Sequence, residues 1–326
     1  MPISDLGYRG WQGRLLPRWT LWCVIAEVGV RLTWRSRWLR RILWFAWLPA
    51  VYFGVGFFIF ENAIKQASSA PLVVTLAPYF RAVPQFQGLQ ESLSSLQEKD
   101  ISRARHLFWA WLLWTFFRMP QGVMMIILVG LVAPNLIAQD LRSKAYLLYF
   151  SRPIGVWEYL LGKALVVWLY LALITLVPAL GLYLLGVSLS PDLSVLRHTW
   201  DLPLRIVAGS LVLMVPTACV ALCFSSLTTE SRYAAFAWSA VCFGGWIAHQ
   251  ILTARDVAGA GLESLSAASG RWAFLSLYHM LGHVQNAIFG FEADRYVVLT
   301  SALVLATATF LSLAVLHYRV TAPLRV

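Results

Sequence analysis

The chain has 326 residues, 59% of them hydrophobic and only 13% charged, with a mean hydropathy of +0.67. A soluble domain keeps about a quarter of its residues charged, so this composition excludes one and marks an integral membrane protein. The formal net charge of +11 points to an anionic membrane surface and not to nucleic acid, because the basic residues collect in short loops beside apolar runs.

Residues 1–20 are too polar for a secretory signal, so the first span is expected to stay as an anchor. Residues 14–41 set Trp19, Trp22, Val24, Ile25 and Val28 against Arg14, Arg18, Arg31, Arg35, Arg37, Arg40 and Arg41. That mixture predicts an amphipathic helix in the interface, guanidinium groups toward anionic headgroups of membrane lipids. Residues 1–41 are therefore read as a cytoplasmic N-terminus and residues 42–326 as the membrane domain.

Residues 42–60 form an uninterrupted apolar run long enough to cross hydrocarbon, and Glu61 and Asn62 are expected to end it. A polar segment follows, and its later part, 89–103, has the pattern of an amphipathic helix. The apolar stretch 107–138 is interrupted by Arg118 and Pro120, a costly pair in mid-membrane. This predicts an interfacial helix at 107–117 and a second span at 121–137. Further spans are expected at 164–186, 204–227, 233–252 and 296–316. Residues 272–291 are too interrupted to cross, with His279, His283, Gln285 and Asn286, and read as a re-entrant or interfacial helix.

Six spans put both termini on one side. Placing the N-terminus in the cytoplasm leaves the short internal loops rich in Lys and Arg and makes 62–118 and 253–295 the long external segments. The expected architecture is thus all-α, with six transmembrane helices, N-in and C-in.

Residues 137–163 are a charged island between two of these spans, holding Asp140, Arg142, Lys144, Arg152, Glu158 and Lys163. The charges crowd a helix end, and the residue before Pro153 avoids the α region, so the helix must break there. A short element bounded in this way suits insertion into a groove of a soluble partner. Three runs in this segment carry a resemblance: Asp140-Leu141-Arg142, then Leu147-Leu148-Tyr149-Phe150-Ser151-Arg152-Pro153-Ile154, then Glu158-Tyr159-Leu160-Leu161-Gly162-Lys163. The chain resembles the type-2 ATP-binding-cassette (ABC) permease superfamily, in motif over 137–163 and in topology throughout. Where members usually carry a glycine after the acidic-basic pair, this chain has Ser143, Lys144 and Ala145.

The resemblance implies a permease subunit of an ATP-driven exporter in a bacterial inner membrane. It further implies two paired permease subunits, as a homo- or heterodimer, and cytoplasmic ABC ATPase subunits that bind ATP and Mg. The ATPase coupling residues would be Asp140, Arg142, Lys144, Arg152, Pro153, Glu158 and Lys163. A lipid, a peptide or another amphipathic molecule fits as substrate. The alternative is a mechanotransmitting or maturation subunit that acts on a periplasmic protein through 62–106 and 253–295 without moving a solute.

No chemistry of the chain's own is expected. The run from Gly155 to Ala164 has bulky residues where a phosphate loop must turn, and Ala where a Mg²⁺-binding hydroxyl is needed. Ser225, Ser226 and Ser231 have no paired intramembrane base, and Cys23, Cys219, Cys223 and Cys242 read as small buried side chains. Arg118, His279 and His283 are candidates for contact with a substrate or an external partner. His279 and His283 are spaced to face one way on a helix, with Met280 and His249 as neighbours but no third clear ligand, so interfacial polar groups are favoured over a metal site.

Overall fold

The computed structural model describes residues 20–66, 101–145, 149, 154–190, 193–260, 269–291 and 294–321, and no strand occurs among them. The predicted helix at 89–103 and the residues Arg152 and Pro153 fall largely or wholly outside this set. Six helical stretches are long and apolar enough to cross a membrane: Arg37–Asn62, Val123–Arg142, Val156–Leu189, Asp201–Leu227, Ser231–Gly259 and Arg295–Thr321. A multi-pass membrane protein is therefore the architecture.

The basic N-terminal region is a bent pair of helices. Leu21–Trp34 forms α1 and Arg37–Ala46 forms α2. The elbow falls at Ser36, the N-cap of α2, whose hydroxyl accepts the Leu39 N–H at 3.4 Å. α2 continues into α3, Leu48–Gln66, so the first span starts at Arg37 and not at 42. The helix also runs past Glu61 instead of ending there, because this carboxylate is buried and partnered. Arg105 grips it with Nε at 3.0 Å and Nη2 at 3.1 Å, and the Trp109 indole donates to it at 3.1 Å.

Those partners belong to α4, Ile101–Gln121, which is longer than the expected 107–117 helix and contains Arg118 and Pro120. Its N-terminal extension is held by the Glu61 pair and by His106, whose Nε2 lies 2.9 Å from Asp201 Oδ1. α4 runs antiparallel to α3 through aromatic pairs: Phe108 on Phe60 at 3.9 Å, Trp109 on Phe57 at 5.4 Å and Phe116 on Phe53 at 6.0 Å. Each such pair adds roughly 1 kcal/mol beyond area burial. Because α4 begins level with the end of α3 and ends beside Phe53, it covers only the later half of the first span. The chain turns at Gly122 into α5, Val123–Arg142.

The third span is broken in the middle, into α6, Val156–Ile174, and α7, Leu176–Leu189. Pro178 cannot donate to the Ile174 carbonyl, and the break at Thr175 lies one turn before it. The Thr175 hydroxyl donates to the Leu171 carbonyl at 2.8 Å, which supplies part of the lost hydrogen bonding. A short turn, α8 (Val195–His198), leads to α9, Asp201–Leu227, and then α10, Ser231–Ala260. The chain next descends to a 3₁₀ turn, Ala273–Leu275, and climbs again as α11, Leu277–Phe289, before α12, Arg295–Thr321.

α1 is seated on α6 rather than lying apart from the bundle. Gly162 permits the approach: a Cβ there would fall 2.8 Å from Ile25 and 2.9 Å from the Trp22 carbonyl oxygen. Thr33 and Tyr170 join hydroxyls at 2.9 Å, and Trp34 stacks on Tyr170 with centroids 6.4 Å apart. Without a strong hydrophobic drive between helices in lipid, small residues and polar contacts of this kind set which helices meet. The outer side of α1 then presents two stripes, Val24, Val28 and Leu32 beside Glu27, Arg31 and Arg35, all exposed.

Candidate functional site

One end of the bundle gathers elements far apart in sequence. The α5 terminus, the α6 start, the turn between α9 and α10, and the end of α12 meet there through Asp140–Lys163, Arg142–Glu230, Trp157–His317 and Arg319 with the Leu227 carbonyl. This Asp140 end holds every described member of the predicted coupling set.

The members do different things. Asp140 and Lys163 form an ion pair at 2.7 Å, with side chains only 15% and 7% exposed. The Tyr159 hydroxyl donates to the same Asp140 oxygen at 2.8 Å. Tyr159 and Lys163 stand one helical turn apart on α6, so both reach the carboxylate that ends α5. The ammonium also lies 5.5 Å from the Tyr159 ring centre and 5.7 Å from that of Tyr149. Burial, and then the Asp140 charge, push the Tyr149 phenol above its ordinary range. The pair is thus an internal clasp between α5 and α6, and neither charge is held out to solvent.

Arg142 and Lys144 are exposed beside it. Arg142 lies 3.4 Å from Glu230, a contact too open to count for much in stability. Lys144 sits in the left-handed region with φ 55. Around it the Ala145 N–H bonds the Asp140 carbonyl at 3.0 Å and the Lys144 N–H the Leu141 carbonyl at 3.4 Å. These two bonds make a Schellman ending, in which Lys144 occupies the position that usually takes glycine. Glu158 is spent locally: its carboxylate accepts the Gly155 N–H at 2.9 Å and stabilises the start of α6. Sequence reasoning missed Tyr159 and Glu230 as members of the cluster. The spacing of Tyr159 and Lys163 was the signal for the first, and nothing local marks the second.

Arg118, His279 and His283 lie elsewhere, where α4, α10 and α11 converge. The Leu275 carbonyl packs onto Gly245, where a Cβ would collide with it, so α11 starts about halfway along α10. α11 then climbs beside α9, its Gln285 amide donating to the Gly209 carbonyl at 3.0 Å. At its start the Arg118 guanidinium lies 3.5 Å from the centre of the Tyr278 ring and donates to the Tyr278 carbonyl at 2.7 Å. Gly282 makes room for it, since a Cβ there would fall 2.5 Å from Nη1. His279 stacks on His249 of α10, centroids 3.5 Å apart and planes 15° from parallel. Burial first, then the His249 and Arg118 charges, hold His279 neutral down to about 3, and burial followed by Arg118 lowers His283 as well.

Among the described residues no group of three or more His, Cys, Asp or Glu side chains is arranged to hold a metal ion. No family model matches the chain, and no curated protein matches it.

Proposed function

We propose that this chain is the membrane subunit of an ATP-driven exporter of the type-2 ABC permease kind, worked from its Asp140 end by a separate ATPase. The observation that carries the reading is the clasp. Residues 143–155 join two spans whose ends are locked together by Asp140, Tyr159 and Lys163, so a push on that segment moves α5 and α6 as one body. Beside the clasp Arg142 and Lys144 offer exposed positive charge to an acidic groove on the partner.

The Asp140 end is then cytoplasmic and the termini are N-in and C-in in a bacterial inner membrane. Exposed Arg142, Lys144, Arg232 and Arg319 at that end support the sidedness. α4 and α11 become half-depth helices entered from the outside, and α1 becomes an interfacial strut fixed to α6. ATP and Mg belong to the partner, and a second permease subunit completes the transporter. An amphipathic lipid or peptide is the substrate class, with Arg118, His279 and His283 as its candidate contacts.

The test is reconstitution of the chain with its ATPase in vesicles. ATP hydrolysis stimulated by an amphipathic small molecule or lipid supports transport. Stimulation only by an external protein would replace it with the mechanotransmitting reading, and ATP hydrolysis indifferent to the chain's presence would overturn both.

A further inference from the structure

The start of α11 is a buried helix N-terminus whose usual partner is missing. Ser276 is its N-cap, fully buried, yet its hydroxyl makes no capping bond and has no hydrogen-bond partner. An N-cap serine ordinarily accepts an N–H of the first turn, and those N–H groups have no carbonyl beneath them within the helix. On this turn His279 Nδ1 is unpartnered as well, and so is Nδ1 of His249, which stacks on it from α10 with a side chain 2% exposed. Burying such atoms unsatisfied costs about 1–3 kcal/mol apiece, so Ser276 and His279 together call for a ligand.

The electrostatics give its sign. The α11 terminus is the positive end of a helix dipole, and the Arg118 guanidinium stacks over the first turn. The groups that act on His279 are His249, Arg118 and His283, all cationic when charged. From α10 the nearest acid is Asp256, which is engaged by the Trp272 indole at 3.0 Å and by Arg271 at 3.4 Å. On α9 Arg205 is paired with Asp201 at 2.8 Å, and α12 has no titratable side chain between positions 297 and 316. A metal ion suits the site poorly: near-parallel imidazoles 3.5 Å apart direct their lone pairs side by side and not to one point.

The geometry points to a binding site for a tetrahedral oxyanion, the phosphate group of a lipid headgroup or of a free solute, at the first turn of α11. Ser276 and His279 supply hydrogen bonds, and Arg118 with the helix terminus supplies charge, while the His249 Nε2 proton is committed to the Ser269 carbonyl at 3.1 Å. This rests on reading Arg118, His279 and His283 as substrate contacts, but it needs no ATPase.

The test uses the purified full chain in nanodiscs of phosphatidylcholine. Inorganic sulfate is the first probe, since its charge is constant between pH 5 and 8. The expected result is saturable binding and a sulfate-dependent rise in Tm. Ser276→Ala should weaken binding about tenfold, the worth of a hydrogen bond to a charged group. It should keep the ligand-free Tm or raise it, because the hydroxyl it removes has no partner. Arg118→Gln should abolish binding, with Ser276→Ala keeping the test valid if that variant fails to fold. In a second arm, nanodiscs containing phosphatidylglycerol, native mass spectrometry counts anionic lipid retained by the wild-type chain and lost from Ser276→Ala. Lipid retention without sulfate binding identifies a headgroup as the source, and sulfate binding alone a free solute. Neither effect, or both effects unchanged in the variants, overturns the site.

Discussion

The smallest scale at which function is built is the Asp140–Lys163 pair, and it also makes the sharpest demand on single side chains. Removing one partner of a buried pair strands the other charge in a poorly solvated place. Asp140→Asn and Lys163→Gln should each lower stability by about 3 kcal/mol, and the double variant should cost less than the sum by more than about 1 kcal/mol. Thermal unfolding of the four proteins in detergent measures this coupling, and additive losses would dissolve the clasp. Arg142→Glu, by contrast, should leave Tm within a degree or two, as its contact with Glu230 is exposed. Lys144→Gly should stabilise the chain by about 1 kcal/mol, because glycine adopts the left-handed conformation without a Cβ penalty. Asp140 and Lys163 stood out in the sequence as charges in an apolar chain. What could not be read there is that they face each other, since 23 positions and a turn separate them and only packing brings the α5 and α6 ends together.

The elements divide into those written in local pattern and those fixed by distant partners. The six spans were legible because an apolar run of sufficient length has few alternatives. Their ends were less so: α3 passes Glu61 because Arg105 meets it 44 positions later, and α4 keeps Arg118 and Pro120 in its last turns because Gly282 and Tyr278 receive the guanidinium. The break at Thr175 follows from Pro178, whereas Pro216 sits inside α9 without one. α1 was legible as an amphipathic basic helix, but its seat on α6 depends on Gly162. Gly162→Ala should therefore push α1 away and cost about 1–3 kcal/mol, the usual penalty of overpacking. Ile25→Ala in the same chain should restore part of that loss but not all, since the Trp22 carbonyl is backbone and cannot be trimmed. Full stability in Gly162→Ala, read by thermal unfolding, would show that α1 is not packed this way.

For the whole molecule, the proposal gives the two ends separate work. At the Asp140 end a rigid clasp adjoins exposed arginine and lysine, which suits a soluble partner. Half a bundle away, α4 and α11 reach inward from the opposite side and enclose Arg118, the stacked histidines and Ser276, which suits a ligand. α5 links the two, running from the turn at Gly122, just after α4, to the clasp itself. In the proposed transporter, α5 would give a partner's stroke at one end a direct mechanical path to the other. The most direct measurement is photo-crosslinking in native membranes, with a crosslinking amino acid at position 144 or, as control, at exposed Trp200 on the opposite end, followed by labelling with a photoreactive ATP analogue. An ATP-labelled chain captured from 144 and not from 200 is the expected result. No ATP-labelled product, or equal capture from both positions, would contradict the proposed coupling of this membrane subunit to an ATPase.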